Sequence, residues 1–326
     1  MKYTLILFLI ITSLFLKKLK AQVLIKDSVN YVVAENLIAP ANAVNFIAMG
    51  DWGRNGADHQ KQVAAQMGKT ATAIKSQFTI ATGDNFYPSG VISQWDPLFK
   101  YSFEDIYTDF HLQWDWYPVL GNHDYKSNPD AQVAYTKISR RWKMPARYYS
   151  KLIAIPGDTA NKILILFIDT NPLIPEFYSN KEYGPNVKTQ DTAKQKKWIA
   201  KELSNPSPNI KWKIVVGHHP MFTGGSRMDG YDTKAIRNTL KPLFDKYAVD
   251  VYLTGHEHNL QHLVSGVTQH FISGAASERT AVHLTSESKM AASEYGFMVF
   301  SVTKNRMFVQ TIDDTGKIIY STVIDK

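Results

Sequence analysis

Five short apolar runs each end at a glycine that is followed by side chains able to bind cations. Phe46-Ile47-Ala48-Met49 leads into Gly50-Asp51-Trp52-Gly53, Phe78-Thr79-Ile80-Ala81-Thr82 into Gly83-Asp84-Asn85-Phe86-Tyr87, and Tyr117-Pro118-Val119-Leu120 into Gly121-Asn122-His123-Asp124. Lys213-Ile214-Val215-Val216 then leads into Gly217-His218-His219-Pro220, and Val251-Tyr252-Leu253-Thr254 into Gly255-His256-Glu257-His258. Apolar, β-branched runs of this length read as buried strands. Chance would scatter metal-type side chains over helices, loops and strands. Here they recur at strand carboxyl ends, where open α/β sheets place their ligand sites.

The intervening pattern predicts helices over 59–75, 96–107, 131–142, 190–203 and 233–247, and further strands over 148–155 and 162–169. Alternation of strand and helix argues for βαβ units and a mainly parallel sheet. Residues 172–185, rich in Pro, Asn, Gly and aromatics, read as an excursion loop near the site or on the surface. Beyond His262 the pattern turns to β-type runs over 295–302, 306–312 and 317–324, with Asp314-Thr315-Gly316 as a turn. This tail predicts an antiparallel edge or a second sheet. No internal repeat or low-complexity linker divides the chain, so one domain is expected over 44–326, after a lead-in at 22–43.

The 326 residues, 44% apolar and 12% aromatic, supply a sizeable core. Four of the eight net positive charges, Lys2, Lys17, Lys18 and Lys20, precede Gln22 with no acid among them. What remains favours anionic substrates mildly and makes no case for nucleic acid. The apolar run from Tyr3 to Leu16 is shorter than the roughly 20 residues a bilayer crossing needs, so residues 1–21 read as a secretory signal cleaved after Ala21. The basic residues after the run keep an uncleaved membrane anchor as the alternative. Secretion or a periplasmic location follows from the first reading, with no membrane contact after cleavage. The absence of cysteine excludes disulfides and leaves stability to packing and bound metal.

Asp84 and Tyr87 carry the sharpest chemistry. A short carboxylate can bridge two cations, and a phenolate is a hard ligand suited to a trivalent ion, so the pair points to two unlike metals, one of them iron. Gly-Asp-Asn is also ordinary turn chemistry. Asp51 either binds metal or caps the following helix. His256 and His258 are placed to diverge toward two metals. His218 and His219 cannot both point inward from an extended strand, so His218 is taken as the ligand and His219 as lining the cleft. Asn122 offers a neutral amide oxygen, or else an Asx turn. His123 followed by Asp124 predicts an imidazole held by a carboxylate, available to the substrate phosphate or to proton transfer.

Taken in order, the five motifs resemble the metallophosphoesterases, and within them the small purple acid phosphatases of the tartrate-resistant type. The likeness extends to Ala131-Gln132-Val133-Ala134-Tyr135 and Ile138-Ser139-Arg140-Arg141-Trp142, and covers nearly everything from Phe46 onward. The resemblance implies an α/β (α+β) fold, a β-sandwich of two mixed sheets flanked by α-helices. It implies that Asp51, Tyr87 and His258 bind a ferric ion, that Asn122, His218 and His256 bind a divalent iron, zinc or manganese, and that Asp84 bridges both. It also implies an acid phosphatase that hydrolyses phosphate monoesters by direct attack of metal-activated hydroxide, with small phosphorylated substrates or phosphoproteins as partners and a monomeric state. A phosphodiesterase or nucleotide pyrophosphatase on the same metals, and a non-catalytic surface protein, are the alternatives.

Two departures from that family stand out. The histidine usual in the loop after Gly-His-x-Pro is missing from Met221–Gly230, which leaves Asp229, His219 or water as proton donor and Arg227 as a phosphate contact. The cysteines of the animal members are also absent. The expected catalytic set is therefore His123, Asp124, His219 and Asp229, with Asn122, His123 and Arg227 on the substrate.

Overall fold

The computed structural model describes residues 33–326; the expected signal segment lies outside them. In chain order the strands are β1 (Val44–Met49), β2 (Phe78–Ala81), β3 (Asp115–Pro118), β4 (Tyr149–Ile155), β5 (Asp158–Phe167), β6 (Ile210–Val216), β7 (Val251–Thr254), β8 (Leu260–Ser265), β9 (Thr268–Ser273), β10 (Ser288–Ala292), β11 (Gly296–Val302), β12 (Arg306–Asp313) and β13 (Ile318–Asp325). The helices are α1 (Gln60–Ile74), α2 (Pro129–Tyr135), α3 (Gly184–Val187), α4 (Thr192–Leu203) and α5 (Tyr231–Tyr247).

The strands form two mixed sheets, ordered β13-β12-β11-β1-β2-β3 and β10-β8-β9-β7-β6-β5-β4. Strands β1, β2 and β3 are parallel in the first, and β5, β6, β7 and β9 in the second; the remaining pairs are antiparallel. Every residue of β1, β2 and β7 is buried, as continuous apolar runs require when a sheet is covered on both faces. The inner faces meet through ring contacts such as Tyr117 with Phe167 at 5.6 Å and Phe271 with Phe300 at 5.5 Å. This is the expected α/β sandwich of two mixed sheets flanked by helices.

Local expectations fail where tertiary contacts override helical periodicity. The helix predicted over 96–107 is only a π-helical turn at Phe99–Glu104, and that over 131–142 ends at Tyr135. In that region Arg141 is buried and donates to the carbonyls of Tyr107 and Leu112, at 2.5 and 2.9 Å, while Trp142 Nε1 donates to Gln132 O at 2.9 Å. These side chains satisfy carbonyls of α2 and of the 107–112 segment instead of continuing a helical face. Within 172–185 lie two 3₁₀ turns, Asn171–Leu173 and Pro175–Tyr178, and α3 begins at Gly184. Strands β8, β9 and β10 were absent from the predicted elements.

Packing ties the first two metal-type loops together. Trp52 sits in a buried aromatic cluster, 5.4 Å from Phe86, 5.9 Å from Phe103, 5.4 Å from Tyr107 and 6.1 Å from Trp116. Such pairs contribute about 0.5–1.5 kcal/mol each beyond burial. Its indole N–H also donates to Asn85 Oδ1 at 3.1 Å, so the loop after β1 and the loop after β2 hold one another.

Candidate metal centre

The loops after β1, β2 and β3 in one sheet and after β6 and β7 in the other meet at a single cluster. Asp51, Asp84 and His256 all have left-handed backbones, with φ of 59°, 48° and 70°. Asp and His enter this region more readily than most residues, at a cost of order 1–3 kcal/mol that persists only where the surroundings impose it. Backbone hydrogen bonds hold these turns, Asp51 N donating to Gly83 O at 3.0 Å, Trp52 N to Asp84 O at 3.2 Å and Glu257 N to Gly255 O at 2.9 Å, and the carboxylates add to them. His256 N donates to Asp51 Oδ2 at 3.0 Å, and His123 N donates to Asp84 Oδ1 at 2.8 Å.

Two groups of donor atoms result, sharing one carboxylate. In the first, the Tyr87 hydroxyl lies 3.2 Å from Asp51 Oδ1, 3.1 Å from Asp84 Oδ2 and 3.2 Å from His258 Nε2. In the second, His218 Nε2 lies 3.2 Å from Asn122 Oδ1, 3.2 Å from His256 Nδ1 and 3.5 Å from Asp84 Oδ1. Asp84 thus turns one oxygen toward each group. Asp51, Asp84 and His218 present ligand atoms all within 4.8 Å of one another, as do His218, His219 and His256.

This arrangement fits cations better than it fits hydrogen bonds. A single phenolic proton cannot serve two carboxylates and an imidazole. The outer nitrogen of His218 faces Thr82 O at 2.8 Å and that of His256 faces Asp232 Oδ2 at 2.7 Å, so the inner nitrogens meet with space for one proton between them. A cation satisfies both lone pairs. In its absence protons take that part: burial alone would lower His218, but the Asp84 carboxylate holds it up to about 9. Asp84 shows the converse, since burial would raise it while His218, His123 and His256 hold it well below the ordinary carboxylate range. Tyr87 is pushed well above 10 by burial and by Asp84 and Asp51, so its ionisation needs added positive charge.

Glycines of one loop make room for ligands of another. A Cβ at Gly121 would stand 2.1 Å from Asp84 Oδ1, and one at Gly255 would stand 2.3 Å from Asp51 Oδ2. Neither glycine could be replaced without displacing a carboxylate of the cluster.

The remaining predicted residues divide. His123 reaches the cluster, its Nε2 4.0 Å from Asp84 Oδ2, but its Nδ1 pairs with Pro88 O at 2.6 Å and not with Asp124. Asp124 is buried and accepts from the backbone of Gly121 at 2.9 Å, Asn85 at 3.1 Å and Phe86 at 3.2 Å, and from Gln132 Nε2 at 2.8 Å. Its expected role on His123 is therefore corrected: it ties the loops after β2 and β3 together. His219 is buried beside His218, because both lie in the bend after β6 and not in the strand; the expectation that only one could face inward fails. Its Nδ1 lies 2.7 Å from Thr170 Oγ1, and its buried Nε2 has no hydrogen-bond partner among the described residues.

Asp229 lies outside the cluster, its side chain 83% exposed and 3.7 Å from Lys234 Nζ, because α5 begins two residues later and carries the chain inward again. Arg227 stands at the rim, its backbone N–H on Glu257 Oε1 at 2.8 Å and its guanidinium 3.8 Å from Asp232 and 3.9 Å from Glu257.

Asp232, Glu278 and Tyr183 were missed from sequence. Asp232 Oδ2 holds His256 Nε2, Glu278 Oε2 lies 3.2 Å from His258 Nδ1, and the Tyr183 hydroxyl accepts from Asn122 Nδ2 at 3.4 Å. No local signal distinguishes these residues from other loop and helix-end side chains; only their partners do.

Residues 44–260 match the calcineurin-like phosphoesterase family, the class that two sheets meeting at a paired-cation cluster define. The chain is 34% identical to purple acid phosphatase 17 of Arabidopsis thaliana, over 90% of this chain and 88% of that one. It is 32% identical to tartrate-resistant acid phosphatase type 5 of Homo sapiens, over 86% of this chain and 90% of that one. The chain belongs to the purple acid phosphatases. Its fold is also like that of GAP50, the anchor in the inner membrane complex of Plasmodium, with a TM-score of 0.75 at 22% identity over 87% of this chain and 89% of that one.

Proposed function

We propose that this protein is an acid phosphatase acting on phosphate monoesters at a ferric–divalent pair. The observation that carries the reading is the convergence of the Tyr87 hydroxyl with Asp51, Asp84 and His258. A phenol among two carboxylates and an imidazole is a hard, anionic donor set that favours a trivalent ion. Asn122, His218 and His256 offer one neutral oxygen and two nitrogens, a set suited to divalent iron, zinc or manganese. When bound, such a pair supplies Lewis-acid charge to phosphoryl oxygens and lowers the pKa of water.

The chain's own residues bind, orient and screen. Asp84 shares its charge between the two halves. His123, with Nδ1–H held by Pro88 O, presents Nε2 toward the cluster for a phosphoryl oxygen or a leaving-group proton. Arg227 Nη1 donates to His256 O at 3.4 Å and its nearest carboxylates lie at 3.8 and 3.9 Å, so its remaining N–H groups are available to an incoming phosphate. Burial of Asp51, His218 and His219 excludes water behind the reacting phosphate.

Small phosphorylated molecules or phosphoproteins are the substrates of this reading, and export through residues 1–21 belongs to it. No helix among the described residues is long and apolar enough to cross a membrane. The test is hydrolysis of a phosphate monoester against a diester by protein of measured metal content, with a visible spectrum. Monoester preference with a phenolate-to-iron band is expected. Diester preference, or full iron without colour, overturns it.

A further inference from the structure

The three imidazoles assigned as metal ligands, His218, His256 and His258, are held from behind by different partners. His218 Nδ1 faces the Thr82 carbonyl at 2.8 Å, a neutral acceptor. His258 Nδ1 faces Glu278 Oε2 at 3.2 Å, but that side chain is 47% exposed and the same oxygen already takes Arg54 Nη2 at 2.5 Å. His256 Nε2 faces Asp232 Oδ2 at 2.7 Å, and the Asp232 side chain is only 9% exposed. Of the carboxylates behind these rings, Asp232 is thus the one that is both close and buried, and its ion pair with Arg227 Nε, at 3.8 Å, is much longer than that of Glu278 with Arg54.

We propose that Asp232 is a positioning residue for the divalent half of the centre, setting that half's affinity while leaving the tyrosine half unchanged. The proposal rests on the two-metal reading above. A carboxylate accepting the outer N–H of a ligating imidazole fixes its tautomer and raises its basicity, and the low dielectric around a buried partner strengthens the effect. Glu278 offers less, because solvent screens it and Arg54 shares its charge.

Asp232 is itself locked in place. It lies in the first turn of α5, where the helix N-terminus favours negative charge, and its Oδ1 accepts from Thr233 N at 2.8 Å. Oδ1 is thus held by the helix start and Oδ2 is turned to the ligand ring. The loop that lacks the family histidine leads directly into this residue, so in this chain the segment supports the metal site from outside.

The test is Zn²⁺ binding to iron-loaded protein stripped of its divalent ion, followed by calorimetry together with the visible band. Asp232→Asn keeps the shape and an acceptor oxygen but removes the charge. Its Kd for Zn²⁺ is expected to rise by about 10–100-fold with the band unchanged, and Asp232→Glu to restore part of the affinity. An unchanged Kd overturns the proposal. So does loss of Zn²⁺ affinity and colour together with a lower melting temperature of the metal-free protein, which would make Asp232 a fold element. Wild-type protein without coloured iron sinks the iron reading instead; Asp232→Asn must then still weaken one of two Zn²⁺ sites and spare the other.

Discussion

The Tyr87 hydroxyl stands 3.1 Å from the carboxylate of Asp84, three residues before it in the chain. Two acidic oxygens at this separation share one proton when no metal is present, and both are freed to donate when a cation displaces it. Tyr87→Phe keeps the buried ring and removes the donor. The variant is expected to lose its visible absorption while its far-UV circular dichroism matches wild type; a retained band would move the phenolate assignment to another tyrosine.

Gly121 faces the same carboxylate from the next loop. Its added Cβ would lie 2.1 Å from Asp84 Oδ1 and 2.3 Å from the Asp84 backbone N, so a side-chain rotation alone cannot relieve the contact. Gly121→Ala is expected to cost about 1–3 kcal/mol in urea unfolding of the metal-free protein. It should also weaken both metals, since Asp84 faces both groups. Unchanged metal content on elemental analysis would show that the loop yields more easily than its packing implies.

Asp124 accepts from three backbone N–H groups and from the side-chain amides of Gln132 and Asn85, so it serves the loops, not the substrate. Asp124→Asn would set an NH₂ donor against N–H donors and leave some of them unpaired. A loss of about 1–3 kcal/mol in urea unfolding is expected. A variant of wild-type stability would indicate that its NH₂ finds an acceptor elsewhere.

Two histidines remote from the cluster give the metal-free protein an acid sensitivity. Burial pushes His262 down to about 4 and His270 to about 3, from an ordinary value near 6.5. Between those values and 6.5 the unfolded chain binds more protons than the folded one. This stabilisation is therefore present in full above pH 6.5 and is lost as pH falls toward 4 and 3. At pH 5 each group costs about 2 kcal/mol relative to neutrality. Urea unfolding of wild type and His270→Leu at pH 7 and pH 5 isolates one share of the pH dependence, and the variant is expected to lose about 2 kcal/mol of it. Equal pH dependence in the variant would remove His270 from the account.

The strands that carry the cluster were legible because their signal is local. Apolar runs such as Phe46–Met49 and Val251–Thr254 are buried throughout, so hydrophobicity alone marks them. Glycine followed by Asp, Asn or His then marks the turn that ends each strand. The helix predicted over 131–142 failed for the opposite reason. Arg141 and Trp142 have helix-compatible chemistry, but the chain folds back so that their side-chain N–H groups reach the carbonyls of Tyr107 and Gln132.

From the chain alone came the five loops, the side-chain types they present and the pairing of a carboxylate with a phenol, because spacing within a loop is a property of sequence. Tertiary structure decided which atoms meet. It placed Asp232 behind His256 and left Asp229, three residues earlier, in solvent, and it set Asp124 among backbone N–H groups. It also brought Asp51 and His256, 205 positions apart, into contact. Those relations depend on two sheets closing against each other, and contact between segments so far apart is settled by packing, which no local pattern records.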